Sequence, residues 1–203
     1  MVENTRQEHK SRLVLSVVII LVQSTLSEYS IRQTIRSTWA NSNIISNLRK
    51  ESDQFNDILL TDLIEHYRNV YQKWVAGNIW LHKYCSAAYY VKADSNIMIS
   101  LEAAANFVNG NDTKHEIYGN CFCCTRVFHG SGRWSVSKSE YPYRRWPTYC
   151  GGTAYLYSHV VQTKLLAAIA NSTMVKLEDA WVTGVLAEKA GIKRINAFVD
   201  ALA

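Results

Sequence analysis

Apolar and polar positions along this chain follow two periods. Residues 13–22, LVLSVVIILV, form the longest apolar run, and their valines and isoleucines predict a buried β-strand. At residues 30–39 the apolar side chains Ile31, Ile35 and Trp39 recur at i, i+4 and i+8, which predicts a helix with one inward face. Residues 58–61 predict a short strand, and residues 63–84 a helix with Tyr67, Val70, Trp74 and Leu81 turned inward. Residues 87–91, AAYYV, predict another buried strand that ends on Lys92-Ala93-Asp94-Ser95-Asn96. Residues 99–108, 160–170 and 180–190 predict helices. The Cys- and Gly-rich residues 118–133 read as irregular or as short strands, and residues 141–153 as turn-rich.

Strands alternating with helices predict a three-layer α/β domain over residues 13–203, preceded by a polar segment at 1–12. Composition agrees: 48% hydrophobic, 19% charged and only two prolines describe a globular chain rather than a disordered one. The run at 13–22 is half of the roughly 20 residues that a membrane-spanning helix needs. The net charge of +5 suits an anionic partner, but the basic residues are scattered, so no nucleic-acid surface is expected. A diphosphate needs only a few convergent cations.

Two acidic elements carry candidate chemistry. The first is Asp94 with Ser95 and Asn96, at the carboxyl end of a central strand, where α/β sheets bind ligands. Asp-Ser-Asn also reads as an ordinary turn. The second is Glu178-Asp179, where an Asp at the start of a helix reads equally as a cap. Arg32, Arg36 and Lys92 are candidate phosphate contacts, or members of structural ion pairs. Trp134, Tyr141, Trp146 and Tyr149 suit either a sugar-binding wall or the core, and Gly151 and Gly152 allow close backbone approach. Five cysteines and two glycosylation sequons, at Asn111 and Asn171, lean towards a secretory compartment. At least one disulfide is expected, involving Cys85 or Cys150. Cys121 and Cys124 have no second pair at zinc-site spacing.

Five segments occur in an order that resembles the β-1,3-galactosyltransferase family, which includes N-acetylglucosaminyltransferases and, more distantly, Fringe. They are IRQTIRSTW at 31–39, FNDILLTDLIEHYRNVYQK at 55–73, and Trp80 with Cys85 ahead of the strand. Most specific is RWSVSKSEYPYRRWPTYCGGTAYLYS at 133–158, followed by LEDAWVTGVLAEKAGI at 177–192. The resemblance implies a nucleotide-sugar-binding fold of the GT-A type. It further implies inverting β-1,3 transfer of galactose or N-acetylhexosamine from a uridine diphosphate (UDP) sugar to a glycan acceptor, in the Golgi.

By the same resemblance Asp179 is the catalytic base and Glu178 its support. Arg32, Arg36, Lys92, Asp94, Trp134, Gly151 and Gly152 are the candidate donor-binding residues on their chemistry, and Asp94 and Asn96, with Ser95 more weakly, are the residues left at the family's metal motif to hold manganese. Three departures accompany these expectations. The membrane anchor and stem of family members are not found in these residues, so membrane association rests on the resemblance alone. Between Trp39 and Glu51 a strand and loop are expected to be missing. The family's Lys-x-Asp-Asp-Asp motif reads Lys92-Ala93-Asp94-Ser95-Asn96, which predicts a weak metal site. The alternative from another class is a catalytically degenerate relative acting as a binding or chaperone-like partner.

Overall fold

The computed structural model describes residues 16–24, 28–38, 54–59, 63, 66–85 and 87–197, with residues 16–20 and 35–38 described as backbone only. A five-stranded mixed sheet is built from β1 (Ser16–Gln23), β2 (Ala87–Asp94), β3 (Glu116–Phe122), β4 (Tyr149–Ser158) and β5 (Lys193–Asn196). Its strand order is β1-β2-β4-β3-β5. β1 and β2 are parallel, β4 runs antiparallel to both of its neighbours, and β5 is parallel to β3. The helices are α1 (Tyr29–Thr38), α2 (Val70–Tyr84), α3 (Leu101–Gly110) and α4 (His159–Ile169). A π-helical segment, Ala180–Leu186, then continues as a short α5, Ala187–Lys189.

Because side chains alternate across a strand, each central strand feeds two cores. Tyr90, Ile117, Tyr155 and Tyr157 pack with Trp74 and Leu81 of α2, Val161 and Leu165 of α4, and Trp181 of the π segment. Val91, Ala93, Tyr118, Ala154 and Leu156 point the other way, onto Ala104 and Val108 of α3. The result is the expected three-layer α/β arrangement. Serine side chains set two of the helix starts: Ser100 accepts from the Ala103 amide and Ser158 from the Val161 amide, each at 3.1 Å.

Several expectations need correction. The helix expected from residue 63 begins later, as a 3₁₀ turn over Tyr67–Asn69 whose preceding His66 is extended and accepts the Arg68 amide at 3.0 Å. Tyr67 is consequently exposed, and the Arg133 guanidinium lies over its ring, 4.1 Å from the centroid. Ile58 and Leu59 lie in irregular backbone, and the rest of the strand expected at 58–61 falls outside the described residues. So does the interval where a strand was expected to be missing, together with Trp39. Within 118–133 the ladder of β3 holds through Phe122, and β4 takes over the turn-rich stretch from Tyr149 onwards. β5 has no counterpart in the hydrophobic pattern. Among the described residues no helix is long and apolar enough to cross a membrane.

Candidate functional site

The carboxyl ends of the parallel pair β1 and β2 lie side by side, with Gln23 in register with Asp94. Tyr90, Lys92 and Asp94 alternate onto the same face of β2, so strand geometry brings Lys92 towards the helix that begins at Glu178. Lys92 is buried, facing Tyr155 across the β2–β4 ladder. Its ammonium Nζ lies 2.7 Å from Asp94 Oδ1 and 3.4 Å from Glu178 Oε2, and it donates to the Gly152 carbonyl. One cation thus ties together β2, β4 and the start of the π segment.

Glu178 is buried as well and accepts the Tyr155 hydroxyl through Oε1 at 2.5 Å. Asp179 Oδ1 accepts the Ala180 amide at 2.8 Å, while Oδ2 accepts the Gly152 amide from β4 at 3.2 Å. Asp179 is therefore both a helix cap and a link to the sheet. Thr183 fixes the same junction: its hydroxyl accepts the Cys150 amide at 2.8 Å and lies within donating distance of the Asp179 and Cys150 carbonyls. A π segment recurs at functional sites in helices, and here it starts at the carboxylate pair.

Burial is the dominant influence on these charges. It raises the pKa of Glu178, with Lys92 pulling the other way and Asp179 adding to the rise. It raises that of Asp179 too, against the backbone hydrogen bonds from Ala180 and Gly152. For Lys92, burial alone would lower the pKa, but Glu178 and Asp94 outweigh it and keep the ammonium protonated above its ordinary value. The Tyr155 phenol is pushed up by burial and by Glu178.

Other candidates are distributed around this centre. Arg32 is half-buried and donates to Ser24 Oγ at 3.0 Å, at the end of β1; Lys73 Nζ reaches the Ser24 carbonyl at 3.2 Å. The Arg36 side chain lies outside the described residues. Gly152 packs against the cluster: a Cβ there would sit 3.4 Å from Lys92 Nζ and 3.5 Å from Asp179 Cβ. Gly151 faces Phe122 instead. Trp134 is 68% exposed, whereas Tyr141 and Trp146 are buried and stack on one another at 4.3 Å between centroids. Tyr149 packs on Phe122. A cleft of about 680 Å³ runs along Tyr143, Trp146, Pro147 and Val185, beside the far end of the helix that Asp179 begins. Asp179 does not line it; the convergence of charge marks the candidate reactive centre instead.

The residues at Asp94 do not fit a divalent cation. Such an ion needs several hard oxygen ligands, but Asp94 Oδ1 already holds Lys92. The Ser95 hydroxyl donates to Glu28 Oε1 at 3.4 Å, and Asn96 is exposed in a turn that the Ile97 amide closes on the Asp94 carbonyl at 3.3 Å. Among the described residues no group of three or more His, Cys, Asp and Glu side chains is arranged to hold a metal.

Glu28, Ser24, Gln23 and Tyr155 escaped the reading of the sequence. Tyr155 lies within the 133–158 run, and its odd spacing from Lys92 gives no hint of pairing. The Gln23 amide is notable because both its nitrogen and its oxygen are buried without a hydrogen-bond partner among the described residues. The expected disulfide forms through Cys150, which is bonded to Cys121 across β3 and β4; Cys123 pairs with Cys124, and Cys85 is free.

A family model described as Galactosyltransferase matches residues 41–197. Human β-1,3-galactosyltransferase 5 is 28% identical over 202 residues, covering 87% of this chain and 64% of that protein. Mouse β-1,3-galactosyltransferase 1 is 26% identical over 213 residues, covering 92% of this chain and again 64% of that protein. The chain therefore spans somewhat less than two thirds of the length of these relatives.

Proposed function

Because this chain belongs to the galactosyltransferase family, we propose that it transfers galactose or an N-acetylhexosamine from a UDP-sugar to a glycan hydroxyl in β-1,3 linkage. The observation that carries this reading is the placement of Asp179 beside Gly152, next to the carboxyl ends of β1 and β2. Asp179 is the general base. A sugar hydroxyl is a poor nucleophile, and a carboxylate whose pKa is raised by burial is a better proton acceptor at neutral pH. Attack by the hydroxyl from the side opposite the leaving diphosphate inverts the anomeric centre. The amides of Ala180 and Gly152 hold the carboxylate in one orientation while leaving lone pairs for the incoming proton.

Glu178 does not face the acceptor in this reading. Buried between Tyr155 and Lys92, it fixes the helix start that aims Asp179. The donor lies across the β1–β2 edge, with Arg32 towards the diphosphate and the buried Gln23 amide, which has no partner among the described residues, as a partner for the base. Exposed Trp134 is the aromatic surface for a sugar ring, and Gly151 and Gly152 give it backbone access. The Cys121–Cys150 disulfide supports an oxidising compartment such as the Golgi lumen.

Incubation with a panel of UDP-sugars and glycans ending in galactose or N-acetylhexosamine tests the reading. A β-1,3-linked product by NMR supports it, and an α-linked product rejects it. The replacement of acids by Ser95 and Asn96 favours a second reading, a relative that binds UDP-sugar or a partner transferase without turnover. Saturable UDP binding with no transfer to any acceptor selects that reading.

A further inference from the structure

We propose that the cleft beside the far end of the helix that Asp179 begins is a second binding site, and that its ligand is an anionic saccharide. At about 680 Å³ the cleft falls within the usual range for small-ligand sites. Val185, Glu188 and Lys189 line it from the helix side, on the order of 10 Å along the axis from Asp179. It is therefore separate from the carboxylate pair, and binding there does not depend on transfer.

Its aromatic wall is held in place. Tyr143 is 66% exposed, and its ring meets Tyr141 edge-on with 5.2 Å between centroids, while Tyr141 stacks in turn on buried Trp146. The backbone beneath is pinned as well. His129 Nε2 lies 3.2 Å from the Tyr143 carbonyl, the Arg144 carbonyl accepts the Val127 amide, and the Trp146 amide donates to the Thr125 carbonyl. A fixed tyrosine with most of its ring open offers an apolar face for the C–H face of a sugar and a hydroxyl at its tip. Holding that ring beforehand removes part of the ordering cost of binding.

The charge around this wall is one-sided. Glu188 is the one carboxylate among the residues that line the cleft, and Arg194 already holds it at 2.6 Å. The lining cations have no acid. Arg145 Nη1 donates to the Cys124 carbonyl at 2.7 Å and Lys189 Nζ to the Asn171 carbonyl, bonds that occupy a donor without cancelling its charge. The exposed Arg144 guanidinium has no partner among the described residues. An open guanidinium presents the paired donors that carboxylate and sulfate groups accept. A neutral sugar would use the ring and leave the charge unmatched; an acidic peptide would use the charge and leave the ring bare. An acidic sugar satisfies both.

The test uses the full chain. Calorimetry measures binding of lactose, sialyllactose, lactose sulfate and hexaglutamate. Sialyllactose, lactose sulfate or both should bind at least about tenfold more tightly than lactose, and their affinity should fall as salt is added. Whichever of the two binds identifies carboxylate or sulfate as the group recognised. Arg144→Gln and Tyr143→Ala, both at exposed positions, should each weaken that binding by about tenfold at an unchanged melting temperature. Lys138→Gln, which removes an exposed cation outside the cleft, should leave it intact. Because Asp179 does not line the cleft, Asp179→Asn should bind acidic sugars as the wild type does. Equal affinity for lactose, equally tight binding of hexaglutamate, or no binding of either acidic sugar would overturn the proposal. So would an equal loss in Lys138→Gln, or a loss in Asp179→Asn, which would place the sugar at the reactive centre instead.

Discussion

Asp179 Oδ2 accepts the backbone amide of Gly152 at 3.2 Å, joining the start of a helix to the middle strand of the sheet across 27 residues of sequence. Gly152 has no side chain to obstruct this approach. A Cβ there would meet Lys92 Nζ at 3.4 Å and Asp179 Oδ2 at 3.7 Å, ordinary contact distances that need no backbone shift. Gly152→Ala should therefore fold with stability within about 0.5 kcal/mol of wild type. Its methyl group would instead fill the space beside the carboxylate that the acceptor hydroxyl must enter, so transfer should fall by about 10²-fold. Thermal melting and initial rates on the same preparation check both halves; unchanged transfer would remove Gly152 from the site.

Gly184 provides the contrasting case. A Cβ there would come within 3.0 Å of Tyr149 Cβ and 3.5 Å of Pro147, where the π segment presses on the start of β4. Gly184→Ala should destabilise by about 1–3 kcal/mol, the usual cost of overpacking. Urea denaturation measures it, and a neutral result would mean that the helix–strand contact yields more readily than its geometry suggests.

The disulfide between Cys121 and Cys150 should be the principal covalent brace, since Cys150 is fully buried and the two residues face each other in the β3–β4 register. Closing a loop with a sequence separation of 29 residues contributes about 3–4 kcal/mol by chain entropy. Peptide mapping without reductant should recover the Cys121–Cys150 crosslink and alkylated Cys85. Cys121→Ser should lower the melting temperature; a crosslink through Cys85 would contradict the assignment.

Acid should act on this protein in an unusual direction at two of its groups. Burial raises the pKa of Glu178 above 4.5 and of Asp179 above 3.8. A carboxyl with a raised folded pKa contributes stability that is fully present below its unfolded pKa and is lost as pH rises through the folded one. Lowering pH from neutral towards 4.5 should therefore stabilise the wild type relative to Glu178→Gln, which cannot take up that proton. Urea unfolding of both across this range checks the sign, and parallel pH profiles would reject it. Lys92 behaves conventionally: its folded pKa is raised, so its contribution is fully present below 10.5 and is lost only as pH climbs through the folded value.

Much of this was legible in the sequence because the core follows simple periods. AAYYV, the Trp74–Leu81 face and the Leu165 helix all appear where their patterns predict. β3 was obscured because Gly119, Asn120 and Cys121 resemble a loop, although neighbouring strands support them on both sides. β5 is a short edge strand, Lys-Arg-Ile-Asn, whose pattern carries little hydrophobic signal. The pairing of Lys92 with Asp94 follows from their i, i+2 spacing on a strand face, yet nothing local reveals that Glu178, 86 positions further along the sequence (178 − 92), joins them. Nor does a helix-cap Asp reveal that its second oxygen is held by β4. Tyr141 and Trp146 show the converse, since aromatics suited to a sugar wall are stacked in the core.

The assignment of Asp179 as base is tested most directly by Asp179→Asn. Both carboxylate oxygens accept backbone amides, and an asparagine can satisfy only one of them, so a modest stability loss of about 1–3 kcal/mol is expected. Turnover should fall much further, by about 10²- to 10⁴-fold, while UDP affinity stays the same. The decisive measurement is the rate of sugar transfer by wild type and Asp179→Asn under conditions where both are folded and saturated with donor. A loss in that range with unaltered UDP binding is the expected result; equal rates for the two proteins would contradict the role of Asp179 as the base.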